Sequence, residues 1–224
     1  MADRAVYVFD AYGTLFDVHS AVARLRERLG PEAERLSELW RIKQLEYSWV
    51  RSLMPHRDRR HRDFRLLTED ALDYAMAATG GIDPALRGPL LDAYDALDAY
   101  PEVPSVLAAL KDKGARLAIL SNGSPAMLAD ATRSAGLDHL FDAVLSVEDA
   151  GIFKPDPRVY QLACDRFCVA AEEVSFQSSN AWDAAGAAAF GFSVVWVNRR
   201  RQPREYHDVG AIREAKDLTA LLEP

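Results

Sequence analysis

The chain has 224 residues, of which 49% are hydrophobic and 27% charged, so it can bury one sizeable core, or a core domain that carries an insertion. A net charge of -7 argues against nucleic acid or an anionic membrane surface as the main partner. No apolar stretch approaches the roughly 20 residues needed to span a bilayer, and residues 1–4 lead straight into an apolar run without a signal-peptide pattern, so a cytoplasmic location is expected.

Residues 5–9, Ala-Val-Tyr-Val-Phe, predict a short buried strand that ends abruptly at Asp10-Ala11-Tyr12-Gly13-Thr14. The next section is helical. Residues 18–29 and 32–53 carry apolar side chains at helical spacing, with Leu36, Leu39, Trp40, Tyr47 and Val50 marking the second segment, and Pro55 forbids its continuation. Residues 64–79 and 83–97 repeat the pattern, closed by Gly80-Gly81 and by Pro101. From Val103 the texture changes to short apolar strands, 117–120, 143–147, 174–176 and 194–197, separated by helices. This alternation predicts βαβ units and a parallel sheet. The expected fold class is α/β, a Rossmann-like parallel sheet flanked by helices. Residues 1–16 and 99–224 would form the core, and 17–98 a helical cap inserted after the first strand.

Four strand ends carry polar groups. In open α/β sheets ligands bind beyond the carboxyl ends of the strands, which favours a substrate-facing role for Asp10 over simple capping of the next helix. Gly13 permits a close turn, and the Thr14 hydroxyl can donate back to the carboxylate. Ser121 and Asn122 follow the second strand and precede a helix, where free backbone N–H groups attract anions, although Ser-Asn-Gly-Ser-Pro is also ordinary turn composition. Lys154 stands in Gly-Ile-Phe-Lys-Pro-Asp-Pro, restricted by the proline after it. An ammonium fixed near Asp10 would keep the carboxylate ionised despite burial. The fourth end is Gln177-Ser178-Ser179-Asn180-Ala181-Trp182-Asp183.

Cys164 and Cys168 lie four apart, so they would share a helix face as buried reduced thiols, and no further Cys or His nearby completes a metal site. None of the five histidines has the spacing of a helical zinc motif.

The stretch Phe9-Asp10-Ala11-Tyr12-Gly13-Thr14-Leu15 resembles the nucleophile motif of the haloacid dehalogenase superfamily. Superfamily phosphatases carry a second Asp where Tyr12 stands, and an acid where Ser179 stands. Ser-Ser-Asn-Ala-Trp-Asp is similar to the L-2-haloacid dehalogenases, the metal-independent branch. That likeness extends through Leu39-Trp40-Arg41, Gln44-Leu45-Glu46-Tyr47-Ser48-Trp49, Ile119-Leu120-Ser121-Asn122-Gly123 and Lys154-Pro155-Asp156. The resemblance implies Asp10 as nucleophile, supported by Thr14, Arg41, Ser121, Lys154, Tyr160, Ser178, Asn180 and Asp183. It implies a substrate-binding set of Tyr12, Arg41, Leu45, Phe64, Ser121, Asn122 and Trp182, with Asn122 associated with halide release. It also implies a 2-haloacid substrate, a halide product, no metal or other cofactor, and a homodimer.

The chemistry of these residues fits that implication. Ser121 and backbone N–H groups could hold the substrate carboxylate while Asp10 attacks the halogen-bearing carbon in line, with Thr14 and Lys154 fixing one carboxylate oxygen and leaving the other free. Arg41, reaching down from the cap, would meet the halide or the carboxylate. Magnesium is poorly served where Tyr12 and Ser179 replace acids. Two stretches depart from the family pattern. The basic run over residues 55–63 reads either as a solvated loop or as a positive rim that draws anions to the cleft, and Ile42 stands where a Gln is familiar. Two alternatives stay open: a magnesium-dependent phosphohydrolase, marked by chelator-sensitive phosphate release, and a non-catalytic binding module, marked by no turnover of any halo- or phospho-compound.

Overall fold

Val6–Phe9 forms β1 at the centre of a six-stranded sheet, with both neighbours parallel to it. The other strands are β2 Arg116–Ser121, β3 Ala143–Ser146, β4 Val174–Ser178, β5 Ser193–Val197 and β6 Ile212–Ala215. The sheet order is β3-β2-β1-β4-β5-β6 and every pairing is parallel, in a computed structural model that describes residues 5–54 and 61–223. This is the α/β, Rossmann-like sheet that the alternating pattern predicts. Strand order runs outward in opposite directions from β1 and β4, so the crevice beyond their carboxyl ends is the topological switch point, where ligands of such sheets bind.

Between β1 and residue 98 the described residues form α1 Ser20–Arg24, α2 Arg26–Leu29, α3 Ala33–Leu53, α4 Phe64–Thr79 and α5 Arg87–Asp95. The segment expected as one helix over 18–29 breaks at Leu25, whose φ of -108° leaves the helical region. The start of the segment expected over 83–97 is a 3-10 turn, Pro84–Leu86, set by the Asp83 carboxylate accepting from the Ala85 N–H. α4 matches its expected bounds because both ends are capped: Asp63 accepts from the Leu66 N–H, and Gly80 takes φ 72°. α3 and α4 pack around a buried polar node. Trp40 Nε1 donates to Thr68 O at 2.8 Å, and Gln44 Nε2 donates to Thr68 Oγ1 at 2.9 Å. Where the chain leaves the sheet and returns, the two passages pair side by side: Tyr100 N donates to Leu15 O at 3.0 Å and Asp17 N to Asp98 O at 2.8 Å.

The second half supplies α6 Val103–Asp112, α7 Pro125–Ser134, α8 Pro157–Phe167 and α9 Ala181–Phe190. β6 is missing from the sequence reading because Ile-Arg-Glu-Ala has no apolar run; it gains strand geometry only by pairing with the edge of β5. The cysteines do not share a helix face. Cys164 is buried on α8, whereas Cys168 caps that helix in the left-handed conformation, φ 53°, and is exposed. Among the described residues no helix is long and apolar enough to cross a membrane.

Candidate active site

Asp10 sits just past β1, its N–H donating to Gln177 O at 2.9 Å, and the residue is 5% exposed. A buried carboxylate of this kind is costly unless hydrogen bonds and charge replace its water. Three donors do so. Thr14 Oγ1 and Asn180 Nδ2 donate to Oδ2 at 3.0 and 2.8 Å, and Lys154 Nζ donates to Oδ1 at 3.2 Å. This corrects the expected division of labour. Thr14 and Lys154 hold different oxygens, so neither oxygen is free, and Oδ1 has the single donor while Oδ2 has two.

The turn that makes this possible uses Gly13 at φ 93°, a left-handed backbone that side chains disfavour. Thr14 is fixed in turn: its hydroxyl accepts from the Ser179 N–H at 2.8 Å, and its carbonyl accepts from Arg199 Nη2 at 2.8 Å. Arg199 stacks on Tyr100 at 3.7 Å and pairs with Glu102 at 2.6 Å. The sequence reading missed Arg199, although its place two residues beyond β5 is the strand-end signal that found the others.

Lys154 is 1% exposed and lies between two carboxylates, reaching Asp183 Oδ2 at 2.9 Å as well as Asp10. Asp183, wholly buried in the first turn of α9, takes a second bond at 2.9 Å from the Tyr160 hydroxyl. Burial raises the Asp183 pKa, and the ammonium of Lys154 pulls against that rise. Burial, followed by the charge of Asp183, holds Tyr160 well above the ordinary phenol range, so it remains a neutral donor. Gly186 admits this contact. A Cβ there would lie 2.6 Å from the Tyr160 hydroxyl and 2.6 Å from Pro155 Cβ.

Ser178 is buried and accepts from the Asn180 N–H at 3.1 Å, shaping the loop that aims Asn180 rather than touching Asp10 itself. Ser121 is buried and accepts from the Gly123 N–H at 3.1 Å, while Asn122 Oδ1 accepts from the Lys154 N–H at 3.0 Å. Arg41 reaches over from α3. Its Nη2 donates to Tyr12 O at 3.2 Å and to Asn180 Oδ1 at 3.1 Å, so the amide that holds Asp10 is itself held by the guanidinium.

The apolar members divide between three places. Tyr12 packs against Phe64 at 5.9 Å and Tyr94 at 5.7 Å, and Gly123 lies so close that a Cβ would meet the Tyr12 ring at 2.7 Å. Leu45 shares a cavity with Arg41 and Asn180. Trp182 packs edge-on against Trp49 at 5.3 Å and lines a mostly apolar cleft of about 470 Å³ that also touches Lys154. Of the basic run, residues 55–60 lie outside the described residues. His61 faces Glu148 at 3.0 Å and Arg62 pairs with Asp70 at 2.7 Å, so both are engaged by local acids. Ile42 is 57% exposed on α3.

The model of the haloacid dehalogenase-like hydrolases matches residues 5–191, which contain every group just described except Arg199. The (S)-2-haloacid dehalogenase 1 of Pseudomonas sp. (strain CBS-3) is 49% identical over 222 residues, 96% of each chain. The chain belongs to the L-2-haloacid dehalogenases. Within that family, (S)-2-haloacid dehalogenase 4A of Burkholderia cepacia is 48% identical over 95% of this chain and 94% of its own. The L-2-haloacid dehalogenase from Xanthobacter autotrophicus, solved with chloropropionic acid covalently bound, superposes with a TM-score of 0.85 at 36% identity, covering 98% of this chain and 97% of its own. In this chain Lys154 pairs with Asp183 beside Asp10, and the side chains at Tyr12 and Ser179 are uncharged.

Proposed function

We propose that this chain hydrolyses short-chain (S)-2-haloacids to (R)-2-hydroxyacids in the cytoplasm, with inversion, without a metal, through an ester on Asp10. The observation that carries the reading is the donor pattern on the Asp10 carboxylate, one donor on Oδ1 and two on Oδ2. The less encumbered oxygen is the better nucleophile. Oδ1 attacks the substrate's second carbon opposite the halogen, the carbon–oxygen bond forms as the carbon–halogen bond breaks, and halide departs with the electron pair. Attack from the far side inverts that carbon. A halide leaving group needs no proton, which suits a site with Tyr12 where a general acid would otherwise stand.

Water then attacks the Asp10 acyl carbon. Negative charge gathers on Oδ2, and Thr14 Oγ1 with Asn180 Nδ2 already stand at hydrogen-bonding distance to receive it, so no reorganisation is needed. The bond from the acyl carbon to Oδ1 breaks, Oδ1 leaves as the product hydroxyl with one proton from the water, and the second proton is released. Lys154 stays at hydrogen-bonding distance from the Asp10 carboxylate, while Asp183 and Tyr160 keep Lys154 in place. Arg41 stands at the cap side for the departing halide or the substrate carboxylate, with Ser121 and Asn122 on the sheet side; Tyr12, Leu45, Phe64 and Trp182 exclude water from the alkyl chain. Residues 17–98 act as the cap. Ile42, Val50 and Leu53 are exposed apolar residues on α3, which favours a homodimer through that helix.

The deciding experiment is chloride or bromide release from each enantiomer of 2-chloro- and 2-bromopropionate. Release from the (S) form with (R)-lactate as product is expected; release from the (R) form alone, or none from either, overturns the proposal.

A further inference from the structure

Two passages of the chain join helices α1 to α5 to the sheet, one leaving after β1 and one returning before α6, and a side chain from a third place holds both. Arg199 stands two residues beyond β5, its side chain 13% exposed. Its Nη2 donates to Thr14 O at 2.8 Å on the outgoing passage and lies 2.6 Å from Glu102 Oε1 on the returning one, while the guanidinium stacks on the Tyr100 ring at 3.7 Å. The passages also hold each other, through the bonds of Tyr100 N to Leu15 O and Asp17 N to Asp98 O and the bridge between Phe16 and Ala99. Arg199 ties the pair to the end of β5.

The support behind Arg199 is itself fixed. Asn198, buried at the end of β5, donates from Nδ2 to Gln202 O at 2.9 Å and to Glu214 Oε1 at 2.6 Å, accepts from the Gln202 N–H at 2.8 Å, and gives its own N–H to Ala215 O at 2.7 Å. A side chain carried on such a network is held more closely than one on a free loop. Burial lifts the Tyr100 phenol to about 12, so the ring against Arg199 stays neutral and keeps the face that attracts a cation.

The Thr14 hydroxyl on Asp10 Oδ2 bears differently on the two halves of the proposed reaction. In the first, Asp10 loses its charge as the ester forms, so a donor on Oδ2 is worth more before the transition state than in it. In the second, the oxygen of water bonds to the Asp10 acyl carbon and charge gathers on Oδ2, so the same donor is worth more in the transition state. The bond from that carbon to Oδ1 then breaks with its electron pair on Oδ1, which takes one proton of the water while the other goes to solvent. Placement of Thr14 therefore matters most to the second half.

We infer that Arg199 is a positioning residue for ester hydrolysis: clamped between Glu102 and Tyr100, it fixes the Thr14 backbone and so keeps the Thr14 hydroxyl on Asp10 Oδ2. It acts through Thr14 and not on the substrate. This role rests on the reading of Asp10 as nucleophile.

The mass of the intact chain and the halide released, followed together through the first turnovers of (S)-2-chloropropionate, test it in Arg199→Met and Arg199→Lys. In Arg199→Met, first-turnover halide release is expected to stay near wild type while ester hydrolysis slows by about 10 to 10²-fold, the scale of a misplacement of about 1 Å, so that esterified Asp10 accumulates. Arg199→Lys keeps a charge and a donor for Thr14 O but loses the planar fork, and is expected to show the same accumulation to a smaller degree. Both rates are read on the same protein, so unfolded chains drop out of the comparison, and Arg199→Lys decides alone if Arg199→Met does not fold. Equal slowing of both halves, slowing of the first alone, or no change in either overturns the inference and leaves the dehalogenase reading in place. A wild type that never carries an ester overturns that reading, and the role of Arg199 with it.

Discussion

Asn180 and Arg41 meet through one amide: Arg41 Nη2 donates to Asn180 Oδ1 at 3.1 Å while Asn180 Nδ2 donates to Asp10 Oδ2 at 2.8 Å. Helix α3 and the end of β4 thereby reach the same carboxylate through a single side chain. Arg41→Ala removes the guanidinium from both the anion and the amide, and losing one preorganised donor to developing charge costs about 10² to 10³ in rate. The expected outcome is a kcat on 2-chloropropionate lower by that factor with an unchanged unfolding transition. A wild-type kcat would leave Arg41 as a surface residue of α3.

Asp183→Asn tests the buried ion pair. Removing one partner of a buried pair costs about 3 to 5 kcal/mol, and because Lys154 keeps Asp10 as a second partner the lower end of that range is expected. Urea denaturation reads the loss as a lower midpoint at constant slope. Activity is expected to fall as well, since Lys154 would no longer be held on the Asp10 side by an opposing charge.

Activity is expected to survive removal of divalent ions. Lys154 supplies the positive charge between Asp10 and Asp183, and the superfamily's other acid positions are occupied by Tyr12 and Ser179. Dialysis against a chelator followed by a halide-release assay checks this, and lost activity restored by magnesium would return the phosphohydrolase reading to consideration.

The role of Asp10 is decided by where oxygen goes. Asp10 as nucleophile gives its own Oδ1 to the product and keeps an oxygen from water, whereas Asp10 as general base sends the solvent oxygen directly to the substrate carbon. With enzyme in excess in heavy-oxygen water, the first-turnover product is expected to be unlabelled and the peptide containing Asp10 heavier. Label in the product with none in the peptide establishes the general-base route. Inversion accompanies both routes, so isotope position and not stereochemistry distinguishes them.

Local pattern in the sequence determined the strands that carry Asp10, Ser121 and Ser178, because a short apolar run ending in polar residues and glycine has few structural solutions. It likewise determined α4 through its two caps, and the identity of the residues around Asp10 through their motifs. Three matters were settled only in the folded chain, each because it depends on contacts between residues far apart in sequence. Which oxygen of Asp10 each donor holds follows from where Thr14, Lys154 and Asn180 arrive from β1, the loop after β3 and the end of β4. Strand β6, polar in composition, exists because β5 offers an unpaired edge. The positioning of Thr14 by Arg199 joins a loop near residue 200 to the turn after the first strand, a proximity that no periodicity encodes.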